Sequence, residues 1–155
     1  MELKWTEQLS VGNAIIDSDH KRLIEMANGA MYMIKKGVSH ALAEAFEQLE
    51  QHMRAHFANE QMVAQAIHFP FHQNNLEHEI VLLTFLHLKD LIQGKKGVFE
   101  EGAAEHFCEL LGDWLINHIT REDMRMKPFL QSFPYDFIPA EFHPAVVQTE
   151  ASLQL

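Results

Sequence analysis

The sequence is rich in histidine, and several of the histidines have the spacing of metal ligands. Eleven of the 155 residues are histidine, about three times the number expected from average composition. His56 and Glu60 are four residues apart, so on a helix both side chains leave the same face about one turn apart. On the inner face of a helix bundle, this pair of nitrogen and oxygen donors predicts a metal site.

Three more histidines and one carboxylate are candidates for the same site: His20, His78, His118 and Asp123. His118 and Asp123 are five residues apart, an offset of about 140° in a regular helix. Their convergence would require a long reach or a local distortion of the helix. A single histidine on an apolar face is more often a hydrogen-bonded core residue than a ligand. Burying Glu60 or Asp123 unpaired, however, would cost on the order of several kcal/mol, so the combination favours a metal centre.

Apolar residues recurring at spacings of three and four predict four helices that would position these side chains. Asp17 or Ser18 is a suitable N-cap for the first helix and Gly37 a suitable stop, while Ser39 is the expected cap of the second. The phrase His68-Phe69-Pro70-Phe71 is expected to end the second helix. The predicted helices are 18–36, 39–67, 72–93 and 99–126, and the buried stripe of the third is expected to include Leu76, Ile80, Leu83 and Leu91.

Four helices of about 20 residues joined by short loops predict an all-α fold, an antiparallel up-down-up-down four-helix bundle. We expect residues 1–127 to form this domain together with an N-terminal arm around Trp5. Residues 128–155 contain four of the five prolines and are expected to form an irregular tail. Its aromatic side chains are expected to cover one end of the bundle or, alternatively, to form a partner surface: Phe129, Phe133, Tyr135, Phe137 and Phe142.

Composition narrows the possible partners and location. The net charge of −10 opposes binding to nucleic acid and to anionic membrane surfaces. No segment has the length and apolarity of a spanning helix or the order of a signal peptide, so a soluble cytoplasmic protein is expected. The single Cys108 cannot form an internal disulfide and is expected to fill the core.

Taken in order, short fragments along residues 5–126 make the sequence similar to the hemerythrins and their bacterial single-domain relatives. The fragments are weak individually but specific as a series. They are Trp5, Ser10-Val11-Gly12-Asn13, Ile16-Asp17-Ser18-Asp19-His20, His56-Phe57-Ala58-Asn59-Glu60, His78-Glu79, Trp114-Leu115-Ile116-Asn117-His118-Ile119 and Asp123.

The resemblance implies a non-haem centre of two iron ions bridged by Glu60, Asp123 and an oxo or hydroxo group. It assigns His20 and His56 to one iron, and His78 and His118 to the other. Such donors suit iron. The same comparison implies an apolar oxygen pocket lined by Leu23, Phe57, Met62, Trp114, Leu115 and Ile119.

The sequence departs from the family pattern at one expected ligand on the third helix. The family has two histidines four residues apart there; His78 matches the second, and Asn74 stands at the position of the first. Asn74 would be a weak ligand through its amide oxygen, or would leave the position to water. His72 and Glu77 are poorly placed substitutes, and His52 is better suited to a supporting hydrogen bond or a solvated position.

Two functions follow from these expectations. The favoured one is a binding protein, not an enzyme, that takes up dioxygen reversibly for storage, delivery or sensing. The alternative is a di-iron redox enzyme that acts on peroxide, dioxygen or nitric oxide through the additional open position beside Asn74. A metal-free bundle is a third possibility, against which the inward carboxylates Glu60 and Asp123 argue.

Overall fold

The chain folds as a four-helix bundle with an N-terminal arm and a C-terminal tail. The computed structural model describes residues 2–38, 40–94, 102–140 and 142, and these contain no β-strand. The long helices are α1 (Ala14–Lys36), α2 (Leu42–Ala66), α3 (His72–Gly94) and α4 (Ala103–Asn117). Helix α1 packs on α2 and α4, and α3 completes the bundle between α2 and α4.

Helix α1 begins four residues before the predicted start because Asn13 is its N-cap. The Asn13 side chain accepts hydrogen bonds from the backbone N–H groups of Ile15 and Ile16. The predicted caps Asp17 and Ser18 instead lie inside the helix, so that prediction was wrong. The predicted stop is confirmed, since Gly37 adopts the left-handed conformation with φ 68°.

The second and fourth helices begin later than predicted. Helix α2 starts at Leu42 without a side-chain cap, and α4 starts at Ala103 after Gly102. Helix α2 ends at Ala66, and His68 has a φ of 60°, consistent with a break before Pro70. The expected cap Ser39 and the expected start of the fourth helix at Phe99 lie outside the described residues. Beyond α4 the chain continues as a π-helix, a 3-10 helix and the short helix α5: His118–Glu122, Asp123–Met126 and Lys127–Leu130.

Helix α3 has the predicted length but buries a different face. Its buried residues are Asn74, His78, Val81, Phe85, Leu88 and Ile92. The residues that were expected inside are between 42% and 66% exposed: Leu76, Ile80, Leu83 and Leu91. Helix α3 carries apolar residues on both faces, and the face carrying the imidazole of His78 is the one that packs inward.

The interior has two apolar clusters. The larger one joins all four long helices and includes Phe46, Phe85 and Leu111, with Trp5 of the arm packed against it. Cys108 lies buried in this cluster as expected, and its burial raises the pKa of its thiol. The smaller cluster, around Val63 and Leu130, closes one end of the bundle.

The first part of the tail covers that end. Phe133 and Phe137 pack against the smaller cluster, while Phe129 and Tyr135 remain about half exposed. The Tyr135 hydroxyl donates to the carboxylate of buried Asp17 over 3.0 Å. Residues 143–155 lie outside the described part of the chain. Among the described helices, none is long and apolar enough to cross a membrane.

Candidate metal centre

Five of the six predicted ligands converge in the centre of the bundle. His20 comes from α1, His56 and Glu60 from α2, His118 from the π-helix and Asp123 from the 3-10 helix. All five are buried, and one ligand atom of each lies within 4.8 Å of the others. The fold thus brings three imidazoles and two carboxylates close together in a region of the bundle that solvent does not reach.

The two carboxylates lie among the imidazoles. One oxygen of Asp123 (Oδ2) is 2.6 Å from His20 Nε2, 2.9 Å from His118 Nε2 and 3.4 Å from His56 Nε2. Glu60 places Oε1 2.7 Å from His56 Nε2 and Oε2 2.8 Å from His78 Nε2. Each carboxylate therefore faces imidazoles from more than one helix, the relationship expected of a bridging group.

His78, the sixth predicted ligand, reaches the centre from α3. It forms a second group of potential metal ligands with His118 and Glu122. Its ring stacks on Phe57 with a centroid separation of 3.9 Å and an interplanar angle of 8°, which fixes its orientation. Thus the six predicted residues lie around one centre, with His20 and His56 at one side of Glu60 and His78 at the other.

The π-helix resolves the unfavourable spacing of His118 and Asp123. A π-helical turn contains one more residue than an α-helical turn, so residues five apart return to nearly the same face. The sequence predicted that a distortion or a long reach would be required, and the structure shows the distortion over His118–Glu122. Such turns occur frequently at functional sites.

Two further carboxylates contact the Nδ1 atoms of His56 and His118, on the side of each ring that faces away from the centre. Asp19 Oδ2 lies 3.0 Å from His56 Nδ1 and also accepts a hydrogen bond from the amide of Asn59. Glu122 Oε2 lies 2.7 Å from His118 Nδ1. Both contacts leave the Nε2 atom of the ring directed at the centre, as in metal sites where a carboxylate fixes the tautomer. Glu122 was not among the predicted site residues, although its spacing of four from His118 places the two side chains on one helix face.

The imidazoles and carboxylates of the site pair with one another. Burial lowers the pKa of His56 and His118, but the neighbouring carboxylates raise it by more. The pKa of His56 therefore lies well above its usual value, and that of His118 is raised to about 10. Burial likewise opposes charge on Glu60 and Asp123, but the imidazoles around them lower both carboxyl pKa values.

Asn74 is buried on the inner face of α3, at the position where the family resemblance implies a histidine. Its Oδ1 accepts a hydrogen bond of 3.3 Å from Arg125, which also pairs with Glu77. Its Nδ2 has no hydrogen-bond partner in the described part of the protein. Three other residues were considered as substitutes for the missing ligand. His72 is exposed at the start of α3, Glu77 forms an ion pair with Arg125, and His52 is largely buried on α2.

Most of the residues predicted to line an oxygen pocket lie in or against the larger apolar cluster. Leu23, Leu115 and Ile119 are buried in the larger apolar cluster, together with Trp114, and Phe57 packs against it. Trp114 donates its indole N–H to the carbonyl of Val81. Met62 instead lines a surface groove beside Pro139 and Ala140, so the structure separates it from the other pocket residues.

The donor set suits a transition metal. Oδ1 of Asp123 is buried and makes no hydrogen bond to any described residue, and the oxygens of Glu60 meet His56 and His78 in close ion-pair contacts rather than in hydrogen bonds. Buried polar atoms are rarely left in this state, because the loss of their hydration is uncompensated. A metal pair at this point would coordinate these atoms, and imidazole with carboxylate is a donor set that iron accepts.

The chain is similar in sequence to proteins of one known family. The sequence model for the hemerythrin HHE cation binding domain matches residues 11–130. The chain is 30% identical over 123 residues to bacteriohemerythrins of Pseudomonas paraeruginosa and Pseudomonas aeruginosa, covering 78% of this chain and 76% of each relative. It is 25% identical over 122 residues to the bacteriohemerythrin of Stenotrophomonas maltophilia, with the same coverage. The chain therefore belongs to the hemerythrin family.

Proposed function

We propose that this protein holds two iron ions in the centre of its bundle and binds dioxygen there reversibly. The observation that carries the proposal is the position of Glu60 and Asp123, fully buried and facing imidazoles from several helices. Two adjacent buried carboxylates require cations between or beside them. In the proposed arrangement Glu60 and Asp123 would be ligands shared by the two irons.

The remaining ligands divide between the two irons. His20 and His56 would hold one iron and His78 and His118 the other, while Asp19 and Glu122 fix the rings of His56 and His118 from behind. When bound, the iron pair supplies the chemistry of dioxygen binding. The protein supplies ligands held in place before the metal arrives.

The apolar residues around the centre favour binding of a small uncharged molecule. Leu23, Leu115 and Ile119 are essentially inaccessible to solvent. A dry apolar surround excludes water and protons, which otherwise promote oxidation of a reduced metal site. These side chains offer no group for acid or base catalysis, which favours storage, delivery or sensing of dioxygen over an enzymatic reaction.

The surroundings of Asn74 support a second candidate, a redox enzyme acting on peroxide, dioxygen or nitric oxide. The amide oxygen of Asn74 already accepts a hydrogen bond from Arg125, so the residue is a poor replacement for an imidazole ligand. The iron assigned to His78 and His118 would then have an open position for a substrate.

Addition of oxygen to the anaerobically reduced, iron-loaded protein tests the proposal. Reversible binding predicts a visible absorption band that appears with oxygen, persists for minutes and disappears when oxygen is removed. Rapid and irreversible oxidation of the irons would instead support the redox enzyme. An Asn74→His variant is the matched comparison, since an imidazole would close the additional position and should slow that oxidation.

A further inference from the structure

The polar cluster of Asn74, Glu77 and Arg125 has no part in dioxygen binding as proposed above. Asn74 precedes the predicted ligand His78 by four residues and shares its inward face of α3. Arg125 follows the predicted ligand Asp123 by two residues, and its Nε donates to the carbonyl of Glu122. The cluster therefore adjoins the iron assigned to His78 and His118.

Arg125 determines which way the Asn74 amide faces. A guanidinium group has donors only, so the atom it contacts over 3.3 Å must be the amide oxygen of Asn74. The ion pair between Arg125 and Glu77 holds the guanidinium in place and largely neutralises its charge. The amide oxygen is thereby already occupied by Arg125.

The amide nitrogen of Asn74 is left as an unused donor. Asn74 is only 1% exposed, and its Nδ2 has no hydrogen-bond partner within the described residues. A buried NH2 group without an acceptor is costly. An acceptor that enters the centre from outside would satisfy it, whereas a metal ion would not, because an amide NH2 group does not ligate metals.

We propose that Asn74 is a hydrogen-bond donor to a small anion that occupies an additional position on the iron of His78 and His118. Asn74 itself is not a metal ligand, and Arg125 is a positioning residue that keeps its NH2 group directed inward. The ligand class is a compact monovalent anion with an accepting atom, such as azide, nitrite or hydroperoxide. This inference rests on the proposed di-iron site and adds a second exogenous position to it.

Azide titration of the oxidised, iron-loaded protein tests the inference, with iron counted in every sample first. The wild type is expected to bind two azide ions per chain, followed by visible absorption. Asn74→Asp removes the donor and places a negative charge at the subsite, and Asn74→His fills the position with a ligand, so both are expected to bind one. Arg125→Met frees the amide to turn and is expected to weaken the second azide by about tenfold.

The exposed neighbour Asn75 provides the matched control, because Asn75→Asp makes the same chemical change outside the centre. It is expected to bind two azide ions, as the wild type does. A wild type that contains two irons but binds one azide overturns the inference and leaves the di-iron proposal intact. An Asn74→Asp protein with two irons and unchanged azide binding overturns it as well. Fewer than two irons in the wild type overturns the di-iron proposal and the inference together.

Discussion

His118 and Asp123 are five residues apart in the chain, yet Nε2 of the histidine lies 2.9 Å from Oδ2 of the aspartate, because a π-helical turn separates them. In a regular α-helix the same two side chains would diverge by about 140°. The turn thus aligns one predicted terminal ligand with one predicted bridging ligand.

Deletion of Thr120 tests this function of the turn. The deletion converts the π-helix to an α-helix and leaves His118 and Asp123 four residues apart, an offset of about 40°. Thr120 is exposed, so the shortened protein is expected to fold and to retain both irons. Insertion of an alanine after Thr120 is the opposite change and is expected to abolish iron binding. Loss of both irons from a folded deletion variant would show that the turn does more than align the two residues.

The carboxylate behind His118 gives a second prediction. Glu122→Gln keeps the shape of the side chain but weakens its hold on His118 Nδ1, and loss of such a contact typically lowers metal affinity by about 10–100-fold. The number of irons bound at saturation should stay the same. Competition with a chelator measures the affinity, and Glu25→Gln, an exposed change on α1, is the control. Equal affinities in the two variants would refute the role of Glu122.

The face that α3 buries predicts very different effects on stability for two nearby substitutions. Phe85 is fully buried and Leu83 is 66% exposed. Phe85→Ala is expected to lower the free energy of unfolding by about 3–5 kcal/mol through loss of buried surface and formation of a cavity. Leu83→Ala is expected to change it by about 0.5 kcal/mol or less. Denaturant unfolding of the metal-free proteins measures both, and the reverse order would restore the face predicted from the sequence.

The contact between Tyr135 and Asp17 predicts a loss of stability at high pH. Burial and the hydrogen bond to the Asp17 carboxylate raise the pKa of Tyr135 to about 12, above the value of about 10 in an unfolded chain. The contact therefore stabilises the fold fully below pH 10 and is lost as the pH rises through 12.

Tyr135→Phe lacks the contact at every pH. The difference in unfolding free energy between the wild type and this variant should be constant below pH 10 and should shrink toward zero by pH 12. Absorbance of tyrosinate provides a second measurement, because the variant should lose the titration near pH 12. A difference that is independent of pH up to 12 would mean that the hydroxyl does not stabilise the tail through Asp17.

Much of the fold and site was predictable because it depends on local patterns. The spacing of His56 and Glu60 needs only helical geometry, and Gly37 ends α1 by its own backbone preference. The inward face of α3 was predicted wrongly, although the predicted ligand His78 shares a helix face with Phe85 and not with Leu83. The hydrogen bond from Arg125 to Asn74 could not be predicted from local patterns, because the two residues are 51 positions apart in the sequence.

The number of iron ions per chain is the most direct test of the central claim. The protein would be reconstituted anaerobically with ferrous iron, desalted and analysed for metal, beside a Glu60→Gln variant whose helix content is checked by circular dichroism. We expect two irons per chain in the wild type and loss of both in the folded variant, since Glu60 is proposed to bridge them. One iron or fewer in the wild type, or two in the variant, would contradict it.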